Sequence, residues 1–407
     1  MAILFIIIVL SSMGFGLVIP PFMFVALNFG ATETMAAFII STFAMGQFLA
    51  TPIWGRLSDR YGRKPILTLT MLGSSIAYLL MAWADSSASI DMLLASRFLT
   101  GLMAGNFAAA TAYVADITPP EKRAQGMGMV GGAVSLGFMA GPAIGGMLSG
   151  PTAETASLLW PSIAAAVMSF ITLIAIVFFL KESLSLEKRA AAIEQREKTS
   201  SKEGSFRDIL TRPVLGLMVV MGFLVFFAVT NFETIFPLWS RVAFDWGPRE
   251  VGFCFMYLAL IVMVTQMFVV GRIAPIYGEG KLLIAAITCY IIGLLFMATV
   301  PFGFEPASWK IMMIGITFTS FGGAMFNTAS TTWVSKQAGD TERGAVLGLF
   351  QSAGWGGRSA GPTVSGYLFQ TFGSNTPLFA GAILMLPVLA IVIIIRRRTA
   401  LQHSVEN

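Results

Sequence analysis

Long apolar runs, broken by short clusters of charge, proline and glycine, organise almost the whole chain. In the first half they cover about 2–27, 34–54, 65–83, 91–115, 124–149 and 157–180. In the second half they cover about 213–239, 250–270, 281–301, 309–334, 343–369 and 376–395. Each approaches or exceeds the roughly 20 residues a helix needs to cross a hydrocarbon core. The pattern predicts an all-α integral membrane protein with twelve transmembrane helices. The one longer polar stretch, 181–212, is dense in both charge signs and reads as a linker, with a short helix expected around Leu186–Glu197. The expected organisation is a six-helix bundle over 1–180, the linker over 181–212, a second six-helix bundle over 213–395 and a tail over 396–407.

The two halves repeat each other. A charged turn runs from Gly55 through Arg56, Ser58, Asp59, Arg60, Tyr61, Gly62, Arg63 and Lys64 to Pro65. A worn copy returns at Gly271, Arg272, Tyr277, Gly278 and Lys281. Ala133, Gly137, Gly141 and Gly145 in the fifth run align with Ala353, Gly357, Gly361 and Ser365 in the eleventh. Both carry Gly-Pro at the same point, Gly141-Pro142 and Gly361-Pro362, and both open on arginine, Arg123 and Arg343. Small residues at every fourth position let helix backbones approach, and a proline inside a helix removes one hydrogen bond and permits a bend. Internal duplication of this kind marks secondary transporters and predicts two pseudo-symmetric bundles.

Composition agrees with the pattern. Hydrophobic residues make up 56% of the 407 positions and charged residues only 12%, with a mean hydropathy of +0.78; soluble domains carry about 25% charge. The net charge of +5 could suggest nucleic acid, but the charges lie in inter-helical loops, where membrane topology accounts for them. If loops after even-numbered spans face the cytoplasm, only Arg241, Arg249 and Lys310 fall outside, and only Arg97 and Arg358 fall within spans. That asymmetry predicts both termini on the cytoplasmic side, with Arg396, Arg397 and Arg398 closing the last span there. Cys254 and Cys289 sit in apolar runs as small core residues, and the single histidine, His403, lies in the tail, so metal or histidine-based catalysis is not expected. The first run lacks the basic region and cleavage site of a signal peptide and is expected to be retained.

The motifs resemble the major facilitator superfamily, and within it the twelve-span drug:proton antiporter branch. The pattern G-x-x-x-D-R-x-G-R-[RK] between spans two and three is matched by Gly55, Asp59, Arg60, Gly62, Arg63 and Lys64. Arg97, Gly101 and Gly105 are similar to an R-x-x-x-G-x-x-x-G motif of span four, and Gly141, Pro142, Gly145 and Gly146 to a signature linked with export. Gly14, Gly16 and Pro20 resemble the pattern of span one in the same branch. Two departures stand out. The second charged turn has Pro275-Ile276 in place of aspartate-arginine, so weaker gating contacts are expected there. No acid occurs in 2–27, so coupling through an acid in span one does not carry over.

The resemblance implies a major facilitator fold that works by alternating access. Asp59 is expected near the start of span eleven, and Arg63 against Asp116 at the end of span four, as a cytoplasmic latch; the competing reading is a loop that only fixes topology. Arg97 is a cavity or coupling residue or else a structural anchor, since a buried arginine in lipid needs a partner or a cavity. Arg358 reads as a structural partner of a neighbouring helix rather than a substrate ligand. Glu233, beside Asn231 in span seven, is a candidate proton carrier, a salt-bridge partner or an interfacial acid. Asn106 and Asn327 are the expected cleft residues on spans four and ten.

The expected function is proton-coupled efflux of a small amphipathic or cationic compound from the inner or plasma membrane. The alternative is transport of a sugar, amino acid, siderophore or organic anion. No cofactor is expected beyond the proton gradient, and neither half carries a phosphate-binding glycine loop. The expected partners are a small-molecule substrate, protons and lipid, without nucleic acid, for a monomer that is not an enzyme.

Overall fold

A backbone in hydrocarbon must satisfy its own N–H and C=O groups, and a chain of apolar runs does so as helices. The computed structural model describes residues 2–119, 122–184, 210–300, 306–338 and 343–406. The helix expected around Leu186–Glu197 lies outside the described residues. The helices are α1 (Ala2–Leu17), α2 (Ile19–Asn28), α3 (Glu33–Tyr61), α4 (Arg63–Ser86), α5 (Ile90–Ala104), α6 (Phe107–Ile117), α7 (Arg123–Leu148) and α8 (Leu159–Phe179). In the second half follow α9 (Pro213–Phe244), α10 (Pro248–Val264), α11 (Gly271–Tyr277), α12 (Glu279–Ala298), α13 (Pro306–Gln337), α14 (Arg343–Phe372) and α15 (Thr376–Glu406). No strand occurs among the described residues.

These helices supply the twelve expected spans. Among the described residues eleven spans are long and apolar enough to cross a membrane; the remaining one is α14, whose glycines, Gln351 and Arg358 lower its hydropathy. The protein is a multi-pass membrane protein. Two spans are interrupted: α1 gives way to α2 at Val18, ahead of Pro20 and Pro21, and α5 gives way to α6 at Gly105 and Asn106. A π-helical turn, Thr265–Val270, joins α10 to α11. The last helix does not stop at residue 395 but runs through the arginine block to Glu406. Thr32 and Ser89 cap α3 and α5 by accepting from the N–H groups of Met35 and Met92, at 3.2 and 3.3 Å.

The chain divides into two compact units: Met1–Lys202 with Asp245–Tyr257, and Glu203–Phe244 with Leu258–Asn407. In the first unit, Leu4, Ile8, Ile66, Met71, Tyr113 and Ile176 bring α1, α4, α6 and α8 into one core cluster. Helix α4 packs along α8, and the two cap each other. Asp85, at the end of α4, accepts from the N–H of Leu158 (2.8 Å) and the hydroxyl of Ser157 (2.7 Å), where α8 begins. Glu182, just past the end of α8, accepts from the N–H groups of Arg63 (2.9 Å) and Lys64 (3.2 Å), where α4 begins. Each carboxylate therefore meets the positive end of its neighbour. Trp83 and Trp160, near the Asp85 end of this pair, are exposed, as expected of a membrane-interface belt.

Candidate functional site

The charged turn of the first unit is built on Gly62. Its φ of 107° lies where only glycine is comfortable, and it reverses the chain between α3 and α4. Arg63 is thereby held almost buried. Its Nη1 meets Asp59 Oδ1 at 2.6 Å and Ser58 Oγ at 2.6 Å, and its Nε meets Asp116 Oδ2 at 3.2 Å. The Lys64 ammonium donates to the Val177 carbonyl at 2.8 Å, and Tyr113 donates to the Lys181 carbonyl at 2.8 Å. Arg60 lies over the Tyr61 ring at 5.4 Å, and a Cβ on Gly55 would meet nothing. Glu182, whose carboxylate joins this cluster to α8, is a residue that sequence reasoning does not single out.

The second unit repeats the device with its charges exchanged. Gly278, with φ 78° and ψ 155°, reproduces the turn at Gly62, where ψ is 159°. Glu279 stands where Arg63 stands, and Lys336, at the end of α13, stands where Asp116 stands. They pair at 2.5 Å. The loss of the aspartate-arginine pair from the second turn therefore leaves an ionic contact of inverted polarity, although the Lys336 side chain is 60% exposed and that of Arg63 only 10%.

Glycine decides how the helices meet. A Cβ on Gly141 would lie 2.7 Å from the Met13 carbonyl, and one on Gly145 would strike the Leu17 backbone. In the second unit a Cβ on Gly361 would lie 2.5 Å from the Phe227 carbonyl, and one on Gly357 would strike Phe223. So α7 packs on α1 as α14 packs on α9, with Pro142 and Pro362 inside equivalent helices. Gly101 and Gly105 similarly seat α5 on α3.

That close seating encloses Arg97. Its guanidinium carbon lies 5.6, 4.8 and 5.0 Å from the ring centroids of Phe15, Phe22 and Phe43. Among the described residues, Nε and Nη1 have no hydrogen-bond partner. The charge is held by ring faces rather than by an acid. Asn106 is engaged elsewhere: it donates to Thr70 Oγ1 at 2.8 Å, tying the break between α5 and α6 to α4.

Glu233, Arg358 and Asn327 come together in the second unit. They line a cavity of about 150 Å³ with Gln266, Tyr290 and Ser320. Gln266 belongs to the π-helical turn, a feature frequent at functional sites. Arg358 lies over the rings of Phe226 and Trp355 at 4.8 and 5.6 Å. Among the described residues no ion pair or hydrogen bond joins Glu233 to Arg358, although they are close enough to interact electrostatically. Arg358 lines the cavity and also contacts Phe226 of the neighbouring helix α9, in keeping with the helix-partner role expected of it.

The family model described as Major Facilitator Superfamily matches residues 4–306 and 267–406. The chain belongs to the Major Facilitator Superfamily. It is therefore a transporter rather than a member of an enzyme family. It is 30% identical over 385 residues to Multidrug resistance protein 2 of Bacillus subtilis (strain 168), covering 93% of this chain and 90% of that protein. It is 28% identical to the class H Tetracycline resistance protein of Pasteurella multocida, covering 86% and 84%. Among solved structures, the human organic anion transporter MFSD10 (TETRAN) matches with a TM-score of 0.68 at 25% identity, covering 96% and 98%. A mutant form of the nucleoside transporter NupG matches with a TM-score of 0.80 at 11% identity, covering 97% and 99%, and shares the fold.

Proposed function

We propose that this transporter carries out proton-coupled efflux of a small amphipathic compound by alternating access. It would do so across the inner or plasma membrane, as a monomer with both termini cytoplasmic. The observation that carries the reading is Glu233 in the cavity of the second unit. It is a carboxyl set among aromatic and polar side chains with no ion pair of its own among the described residues. Such an acid can exchange a proton for substrate. The multidrug and tetracycline resistance proteins among its relatives support the export direction. The Asp59–Arg63–Asp116 clasp would bias the conformational equilibrium, and the glycines and prolines of α7 and α14 would provide the bending sites. The test is efflux from cells loaded with tetracycline or an amphipathic dye: it should stop when an uncoupler collapses the proton gradient, and efflux that survives would refute the coupling.

A second reading is organic-anion transport. It is favoured by Arg97, a buried cation without an acidic partner among the described residues, and by the likeness to MFSD10. Competition by anionic compounds alone would support it.

A further inference from the structure

Two opposite charges share the cavity of the second unit without touching. Arg358 comes from α14 and Glu233 from α9. The guanidinium carbon lies 4.8 and 5.6 Å from the ring centroids of Phe226 and Trp355, and its N–H groups have no protein acceptor among the described residues. Ser320, 4% exposed, lines the same cavity, and its buried hydroxyl has no partner among the described residues. Buried polar groups normally find partners, so the unpartnered Ser320 hydroxyl, beside a half-buried cation and a half-buried acid that do not pair directly, marks a space suited to a polar ligand.

The geometry points to a zwitterionic aromatic compound of one or two rings as the substrate class. Its anionic group would meet Arg358, its ammonium would meet Glu233, and its ring would lie along Phe226. This rests on the efflux reading only in calling the ligand a substrate. The argument is one of charge balance. A lone cation would pair with Glu233 but leave Arg358 unpaired and repel it, and a lone anion would do the converse. A ligand with both signs satisfies both at no net charge, and uncompensated buried charge is the costly outcome. The cavity volume of about 150 Å³ lies below the roughly 300–1,000 Å³ typical of drug-sized pockets, which limits the enclosed part to one or two rings.

The test is calorimetric titration of the purified full-length protein in detergent with three probes on one scaffold: naphthylalanine, its methyl ester and its N-acetyl derivative. Naphthylalanine should bind at least about tenfold more tightly than either single-charge form, as expected when one charged partner is lost. Arg358→Gln should reduce it to the affinity of the ester, and Glu233→Gln to that of the N-acetyl form. The exchanged double variant, Glu233→Arg with Arg358→Glu, keeps both charges and should recover the zwitterion preference, which separates charge recognition from misfolding. Tighter binding of the ester or of the N-acetyl form would overturn the assignment. So would a preference unchanged in both single variants, or no binding of any probe at millimolar concentration. Binding in detergent requires no gradient, so failed efflux with intact zwitterion selectivity would count against the transport reading alone.

Discussion

Glu182 accepts the backbone N–H of Arg63 at 2.9 Å, so a residue beyond the end of α8 caps the first turn of α4. The side chain of that same Arg63 binds Asp59 and Asp116. One carboxylate thus fixes the backbone from which the clasp is built. Glu182→Ala should lower stability by about 1 kcal/mol, the usual cost of a lost cap with its charge–dipole contribution. Thermal unfolding in detergent reads this out, and an unchanged Tm would show the cap to be idle.

The two ionic contacts at the helix ends should differ in weight. Asp116→Asn removes a partner from a nearly buried arginine and should slow transport at least about tenfold at normal expression. Lys336→Ala breaks a pair whose lysine is largely exposed and should cost no more than about 1 kcal/mol. Transport rates normalised to surface protein compare the two; equal effects would contradict the ranking.

The fold is legible in sequence where lipid leaves the chain no choice. Apolar length marks the spans, and the repeated Gly-Pro stripes mark α7 and α14 as equivalent helices that neighbours can approach closely. Contacts between distant helix ends are not legible. Asp85 and Glu182 look in sequence like ordinary loop acids, and only the packing of α4 on α8 brings each to the other's N-terminus. A carboxylate just past a span, facing a helix start without its own cap, is the available signal. Lys336 escapes notice when the second charged turn is judged by its missing aspartate-arginine pair, whereas the contact persists with exchanged charges. At the cavity, Glu233, Arg358 and Asn327 stand out by the rarity of such residues in apolar runs. The π-helical turn that presents Gln266 leaves no mark in hydropathy, and nothing in the sequence shows that Asn106 donates to Thr70.

Glycine positions offer a sharp contrast within one helix. Gly145→Ala should disrupt α1–α7 packing, because a Cβ there strikes the Leu17 backbone. Gly131→Ala, with open space around it, should be neutral or gain up to about 1 kcal/mol from helix propensity. Yield of folded protein and Tm decide; equal tolerance would refute the close approach.

Arg97 should trade stability for function. Arg97→Met keeps the bulk among Phe15, Phe22 and Phe43 and removes a buried charge with unsatisfied N–H groups. It should leave Tm unchanged or raised while transport falls sharply. A large loss of Tm would instead identify the arginine as a structural anchor.

The account turns on a proton moving inward as substrate moves outward. Its most direct test is purified protein in liposomes with an imposed pH gradient, following internal pH and an amphipathic fluorescent probe together. The account predicts opposed fluxes that both vanish in Glu233→Gln at unchanged incorporation. Probe movement without proton movement, or coupled fluxes that persist in that variant, would contradict it.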